Sequence, residues 1–226
     1  MPVVQFDHVV KEYASQDSVV CALDDVSLSV ERGEFLSLVG RSGCGKTTLL
    51  NLAGAMDFPT SGIVLIEGQE TSGRSDADLT QIRREQVGFV FQFFHLLPTL
   101  TAAENVELPL QLAGQTNVRD TALDRLRLVE MEAFANRYPH QLSGGEMQRV
   151  AIARSIVHSP RILLADEPIG NLDSTSADIV MLLLRRIADE SDTAILMATH
   201  SLEAAQTTDS IVKLRDGSIE EHLKVS

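Results

Sequence analysis

Apolar and polar positions change their period several times along this chain, and each change marks an element. Val26, Leu28 and Val30 alternate with serines, the two-residue period of a strand buried on one face. Residues 1–39 read as strands, with a turn at Glu31-Arg32-Gly33-Glu34. Phe35, Leu36, Leu38 and Val39 form a buried strand running into a glycine-rich loop. The spacing then predicts a helix over 47–56, ended by Pro59 and Gly62, and a strand over 63–66 closed by Glu67-Gly68. A polar helix over 76–86 and a short strand over 87–91 follow. From Phe93 to about Tyr138 the pattern is helical, with breaks at Pro98, Pro109 and Gly114; Leu123, Leu126, Leu128 and Val129 supply its apolar face. A helix over 148–157, a strand over 161–165, a helix over 174–189, a strand over 194–198 and a helix over 202–207 come next. A terminal hairpin turns at Asp216-Gly217. Strand and helix alternate over most of 30–200, which predicts an α/β fold with a mainly parallel sheet covered on both faces. The helical stretch interrupting that alternation reads as an inserted helical subdomain, about 93–158. The core is then about 1–92 and 159–226, within one domain.

Composition narrows the function. The chain has 226 residues, 44% hydrophobic and 23% charged, ordinary for a soluble globular protein. Its formal net charge of −13 leaves no basic footprint for nucleic acid, so no nucleic-acid partner is expected. Its two cysteines, Cys21 and Cys44, read as free thiols in a reducing compartment. The amino-terminal residues carry no basic region followed by an apolar run, so they do not read as a signal peptide. The best apolar stretch, 179–184, falls far short of the ~18 residues needed to span a bilayer. If the protein works at a membrane, another chain must take it there.

Two motifs carry chemistry. Gly40-x-x-x-x-Gly45-Lys46-Thr47 matches a phosphate-binding loop at every fixed position, between a predicted strand and a predicted helix. Glycines let the backbone approach phosphate oxygens, and N–H groups from about Gly43 to Thr48 turn inward at the positive end of the helix. Ser42, Gly43, Cys44, Gly45 and Thr48 therefore line the expected nucleotide site. Lys46 is placed to reach the β- and γ-phosphates, and the Thr47 hydroxyl to bind Mg²⁺. Downstream, Ile162-Leu163-Leu164-Ala165 is an apolar strand ending in Asp166 and Glu167. Asp166 suits the Mg²⁺ shell, and Glu167 suits a general base acting on water. Cys44 lies inside the loop, where oxidation could block nucleotide, although a small tolerated residue is the simpler reading. A GTPase would need a guanine-reading Asn-Lys-x-Asp, which is absent.

Between these motifs lies Leu142-Ser143-Gly144-Gly145-Glu146. The three elements in this order resemble the ATPase domain of ATP-binding-cassette (ABC) proteins, over nearly the whole chain. The usual last residue of the middle motif is Gln; here it is Glu146. The resemblance implies a P-loop NTPase core with an N-terminal antiparallel β subdomain and the inserted helical subdomain. It implies ATP and Mg²⁺, with Gln92 near the metal or attacking water, His200 at the γ-phosphate, and Tyr13 stacked on adenine. It implies that Ser143, Gly144 and Gly145 close over ATP held by a second copy, with Asp173 of Asn171-Leu172-Asp173 touching the facing monomer. Phe91-Gln92-Phe93-Phe94-His95-Leu96-Leu97-Pro98 and Tyr138-Pro139-His140-Gln141 are similar to the branch of macrolide exporters, lipoprotein-releasing complexes and the cell-division ATPase. The expected partners are a second copy and integral-membrane permease subunits, with the chain cytoplasmic and peripheral on the inner face of the membrane. Phe93, Phe94, Leu96 and Leu97 either receive the permease or fill the helical segment's own core. A soluble ABC ATPase acting on ribosomes or DNA is the alternative. It is disfavoured by the short separation of Lys46 and Asp166, the lack of heptads, the single cassette and the acidic charge.

Overall fold

The computed structural model describes residues 2–15 and 18–225. The chain opens with an antiparallel pair, β1 (Val4–Ser15) and β2 (Ser18–Val30). β4 (Ser61–Ile66) pairs with β1, and the two-residue β5 (Gln69–Glu70) completes a sheet of order β2-β1-β4-β5. The second sheet is built from β3 (Phe35–Val39), β6 (Val87–Phe91), β7 (Ile162–Asp166), β8 (Ala194–Thr199), β9 (Ser210–Arg215) and β10 (Ser218–Lys224). Its order is β10-β9-β3-β8-β7-β6, parallel throughout except for β10.

Every residue of β3 and β8 is buried, as their unbroken apolar runs require of parallel strands covered on both faces. Leu163, Ala165, Ile195 and Met197 pack toward the helical layer, while Ile162, Leu164, Leu196 and Ala198 pack toward the antiparallel sheet. α1 (Lys46–Ala53) lies on that second face, and α2 (Asp76–Gln86) adds Leu79 and Ile82. On the first face lie α3 (Ala102–Leu112), α4 (Arg119–Leu128), α5 (Gly144–Ile156) and α6 (Ser174–Ser191). A short α7 (Leu202–Ala205) follows β8. The apolar faces of α3–α6 and the sheet form one continuous cluster.

The structure departs from the sequence pattern at identifiable places. Pro109 does not break a helix but lies inside α3. A proline in a helix interior costs ~3 kcal/mol or more. Burial of a Val or Leu side chain returns ~1.5–3 kcal/mol each, and Val106 and Leu110 are both buried beside it. Residues 93–101 form no helix. Buried Asn105 takes up their polar groups instead, donating to the carbonyls of Leu97, Leu100 and Thr101 and accepting from the Leu97 N–H. Arg154 of α5 donates to the carbonyls of Phe94 and His95, both in the left-handed region. α5 starts at Gly144, earlier than its apolar residues suggest, because Ser143 caps it: Ser143 Oγ accepts from the Glu146 N–H and Glu146 accepts from the Ser143 N–H. The same reciprocal cap, Thr101 with Glu104, starts α3.

Candidate nucleotide site

The site lies where β3, β7 and β8 end. β3 runs into Gly40–Gly45, and α1 begins at Lys46. Gly45 has φ +107°, and a Cβ there would come within 2.5 Å of the Ala22 carbonyl and 2.8 Å of Leu23. Only glycine fits that position. Gly43 has φ +80° and nothing within 4 Å of where its Cβ would be, so it faces open space. That space is a cavity of about 610 Å³, with Ser42, Gly43, Gly45, Lys46, Thr47 and Thr48 on one side and Gln92, Asp166, Glu167 and His200 on the other. A second cavity, about 740 Å³, adjoins it behind Gly40 and Cys44 and shares His200.

Lys46 Nζ is folded back on the loop, donating to the Gly40 carbonyl at 2.7 Å and the Arg41 carbonyl at 3.2 Å. Cys44 is buried, its sulfur 4.0 Å from Lys46 Nζ, while Cys21 is exposed; both are free thiols. Thr47 Oγ1 donates to Asp166 Oδ2 at 3.1 Å, joining the first turn of α1 to the tip of β7. Burial pushes the Asp166 carboxyl up and the Glu167 charge adds to this, against the Thr47 hydrogen bond and Lys46. A half-buried carboxylate beside a second carboxylate is an environment that a cation relieves.

Glu167 sits at φ +49°, uncommon for a side-chain-bearing residue and costing of order 1–3 kcal/mol. Its N–H bonds the Ala198 carbonyl at 2.9 Å, which fixes the turn against β8. Glu167 Oε2 lies 2.8 Å from His200 Nδ1. A carboxylate only accepts, so Nδ1 carries a proton there, and Nε2 is left for another partner. Gln92, just past β6, is in the cavity wall, but its amide is engaged elsewhere: Nε2 donates to Asn171 Oδ1 at 3.0 Å. Asn171 Nδ2 returns a bond to the Gln92 carbonyl at 3.1 Å. No local pattern signals this pairing, because its partners lie 79 positions apart.

Other expected site residues stand apart from the cavity. Ser143, Gly144 and Gly145 do not line it. They pack beneath the 169–173 loop and α6 instead, where a Cβ on Gly145 would meet Ser176 Oγ at 2.6 Å. Asp173 caps α6, accepting from the Ser176 N–H at 3.0 Å and its hydroxyl at 2.8 Å, which holds its carboxyl below the usual range. Tyr13 also lies outside the cavity lining. Its hydroxyl donates to Asp57 Oδ2 at 2.8 Å. Buried Gln148 of α5, not singled out from the sequence, donates to the Pro168 carbonyl at 2.6 Å and so ties the helix that carries the Ser143-Gly144-Gly145 signature motif to the turn after Glu167.

Comparison with known proteins adds an independent line. The family model of the ABC transporter matches residues 23–170. The ABC transporter ATP-binding protein MJ0796 of Methanocaldococcus jannaschii, itself uncharacterized, is 43% identical over 98% of this chain and 97% of its own length. MJ1508, of the same organism and likewise uncharacterized, is 44% identical over 96% of this chain and 98% of its own length. Among solved structures, a dimeric post-hydrolysis state of the MJ0796 cassette bound to ADP and Pi matches with a TM-score of 0.90, at 42% identity and 99% coverage of both chains. A second dimeric structure of MJ0796, described as a bacterial ABC transporter cassette, matches equally. The likeness takes in both sheets and the helical layer, so fold, motif order and sequence agree: this chain belongs to the ABC transporter family and is an ATP-hydrolysing cassette.

Proposed function

We propose that two copies of this chain close head to tail around ATP and drive a separate membrane permease, of export or mechanotransmission type, from the cytoplasmic face. The observation that carries this reading is the incompleteness of the site in one copy. The phosphate loop, Asp166, Glu167 and His200 share a cavity, whereas Ser143, Gly144, Gly145 and Asp173 do not line it. A two-fold dimer supplies each cavity with the other copy's signature segment. The MJ0796 cassettes, so similar over their whole length, are dimeric.

Within the cavity, Lys46 leaves its two carbonyls for the β- and γ-phosphates, and the N–H groups from Gly43 to Thr48 cradle them. The residues fit Mg²⁺: Thr47 Oγ1 and Asp166 Oδ2 already meet at 3.1 Å, and Gln92 stands in the same wall. Among the described residues no three His, Cys, Asp or Glu side chains group as a metal-holding set, so the ion's other ligands would come from nucleotide and water. Bound there, Mg²⁺ would supply charge neutralisation on the phosphates. Glu167 Oε2 is committed to His200, so Oε1 accepts the proton of the attacking water as its oxygen bonds to the γ-phosphorus. The bond broken is that from the γ-phosphorus to the β–γ bridging oxygen, and His200, its Nδ1–H held by Glu167, would donate to the γ-phosphate from Nε2 with both ring nitrogens protonated.

The permease reading rests on the surface after Gln92. Phe93 is 68% exposed and Leu97 43%, while Phe94 and Leu96 are partly buried. The cluster is thus divided between the helical segment's packing and an outer apolar face suited to a permease's cytoplasmic loop. Residues 93–158 would act as the lever that carries it. No helix among the described residues is long and apolar enough to cross a membrane. The motifs flanking Gln92 and the signature place the chain, in this reading, with macrolide-exporter and lipoprotein-releasing ATPases. The test is to mix a Ser143→Arg chain with a Lys46→Ala chain, each inactive alone. One composite site should form, with about a quarter to a half of wild-type turnover per dimer. No recovery from two folded chains would refute action across the dimer.

A further inference from the structure

Tyr13 is held by two residues to which the family chemistry assigns nothing. Lys11 and Tyr13 are two apart on β1, and Lys11 Nζ stands 4.8 Å from the centroid of the Tyr13 ring. The same ammonium donates to Asp57 Oδ1 at 2.7 Å and to the Phe58 carbonyl at 2.8 Å. The other Asp57 oxygen accepts from the Tyr13 hydroxyl. One carboxylate therefore joins the cation over the ring to the hydroxyl at its tip. This is no loose surface pair: the Lys11 side chain is 12% exposed and that of Asp57 28%.

Two torsions would let a strand tyrosine sweep its ring freely. Here the hydroxyl is tethered and the ammonium lies over the ring, so the ring is set and one face is closed. The residue is still 40% exposed, and Val20, its direct cross-strand partner, is 57% exposed on the same side of the pair. Asp57, which accepts from the phenol, follows α1 by a few residues. The ring is thus fixed to the helix that begins in the phosphate cradle.

We propose that Lys11 and Asp57 are positioning residues that lock Tyr13 as a one-faced shelf for the nucleobase of the bound nucleotide, at a set distance from the phosphate loop. This rests on the nucleobase-stacking role of Tyr13 and deepens it. The binding energy of an ordered ring is not spent on ordering it, which is the gain of preorganisation. The ammonium behind the ring directs the base to the open face.

The experiment measures binding of MgATP and of magnesium tripolyphosphate, which lacks base and ribose, to the full chain. The variants are Tyr13→Ala, Tyr13→Phe, Asp57→Asn, and Asp57→Asn combined with Tyr13→Ala. Tyr13→Ala should weaken ATP by about tenfold, within the range for base–aromatic stacking. Tyr13→Phe and Asp57→Asn should each weaken it several-fold, and tripolyphosphate should bind alike throughout. Asp57→Asn should add nothing once Tyr13 is alanine. Unchanged ATP binding in Tyr13→Ala would overturn the stacking role itself. A loss in Tyr13→Ala but none in Tyr13→Phe and Asp57→Asn would overturn the locking while leaving stacking intact. Equal loss for both ligands in Asp57→Asn would assign that residue to the phosphate helix instead. A spectroscopic readout needs no ligand. The chain has two tyrosines and no tryptophan, so Tyr138→Phe leaves Tyr13 as the sole emitter. A phenol bonded to a carboxylate is quenched, and Asp57→Asn should brighten it; unchanged emission would count against the tether.

Discussion

The reciprocal pairing of Gln92 with Asn171 makes a prediction whose sign is opposite to the usual effect of a mutation beside an active site. Asn171→Ala removes two hydrogen bonds, at 3.0 and 3.1 Å. Each is worth ~0.5–1.5 kcal/mol net, and Asn171 is exposed, so the low end applies and the pair contributes about 1 kcal/mol. The nucleotide-free protein should lose about that much stability. In the role proposed for it, Gln92 swings its amide away from Asn171 toward a metal ion or the attacking water. A bond that has to be broken on binding lowers affinity by its own free energy. Its removal should therefore tighten MgATP binding by roughly two- to fivefold. The assay is titration calorimetry in a Glu167→Gln background, which removes the proposed general base so that nucleotide should persist during the titration. A control isolates the cause: with Gln92→Ala already present, Asn171→Ala should give no gain. Unchanged or weaker binding in the Asn171→Ala chain would refute the reasoning, since it would mean that Gln92 keeps its partner when nucleotide is bound.

Two further outcomes are expected. Burial raises the Asp166 carboxyl, so its ionised form is a cost that the fold bears at neutral pH; stability from such a group is present at low pH and lost as pH rises. Asp166→Asn should then raise the melting temperature of the nucleotide-free chain by about 2 °C or more while abolishing Mg²⁺-dependent hydrolysis, and a lower melting temperature would contradict the assignment. His158 has the reverse sign: burial holds its imidazole below the ordinary 6.5, against the bond to the Val87 carbonyl. The unfolded chain therefore takes up the proton first as pH falls below about 6.5, and stability falls with it. Urea unfolding of His158→Gln across pH 7 to 5 should lack that component, and parallel pH profiles for both proteins would refute it.

Legibility followed the range of the forces involved. The loop, α1 and the carboxylate at the tip of β7 were readable because each is set by adjacent residues: glycine where φ is positive, an apolar run where both faces are covered. α2 and β6 took the expected bounds, 76–86 and 87–91. The early start of α5 was also written locally, as Ser143 three residues before Glu146, but the apolar pattern pointed later. Pro109 misled because burial of α3 outweighs a local penalty, and residues 93–101 misled because their polar groups are taken by Asn105 and Arg154 from outside the segment. Glu167 and His200 were named separately, and only the fold shows that they touch. Lys11 and Asp57 carried no signal at all, and Asn171 stood out only as the first residue of its motif and not as a partner of Gln92, since these roles lie in partners that the chain brings from far away.

The strand order of the parallel sheet has a consequence for the protein's birth. β3, which launches the phosphate loop, is flanked only by β8 and β9. Those strands lie at 194–199 and 210–215, more than 150 residues later. On the ribosome the antiparallel sheet has all its residues once position 70 has emerged. The loop, though already synthesised, then hangs from a strand with no neighbour. Thr47 likewise waits for Asp166, 119 positions on. An interrupted translation product thus carries every letter of the phosphate motif but no platform to hold it. The loop gains its platform only when β8 and β9 arrive, so a chain cut short before them carries the phosphate motif without the sheet that holds it.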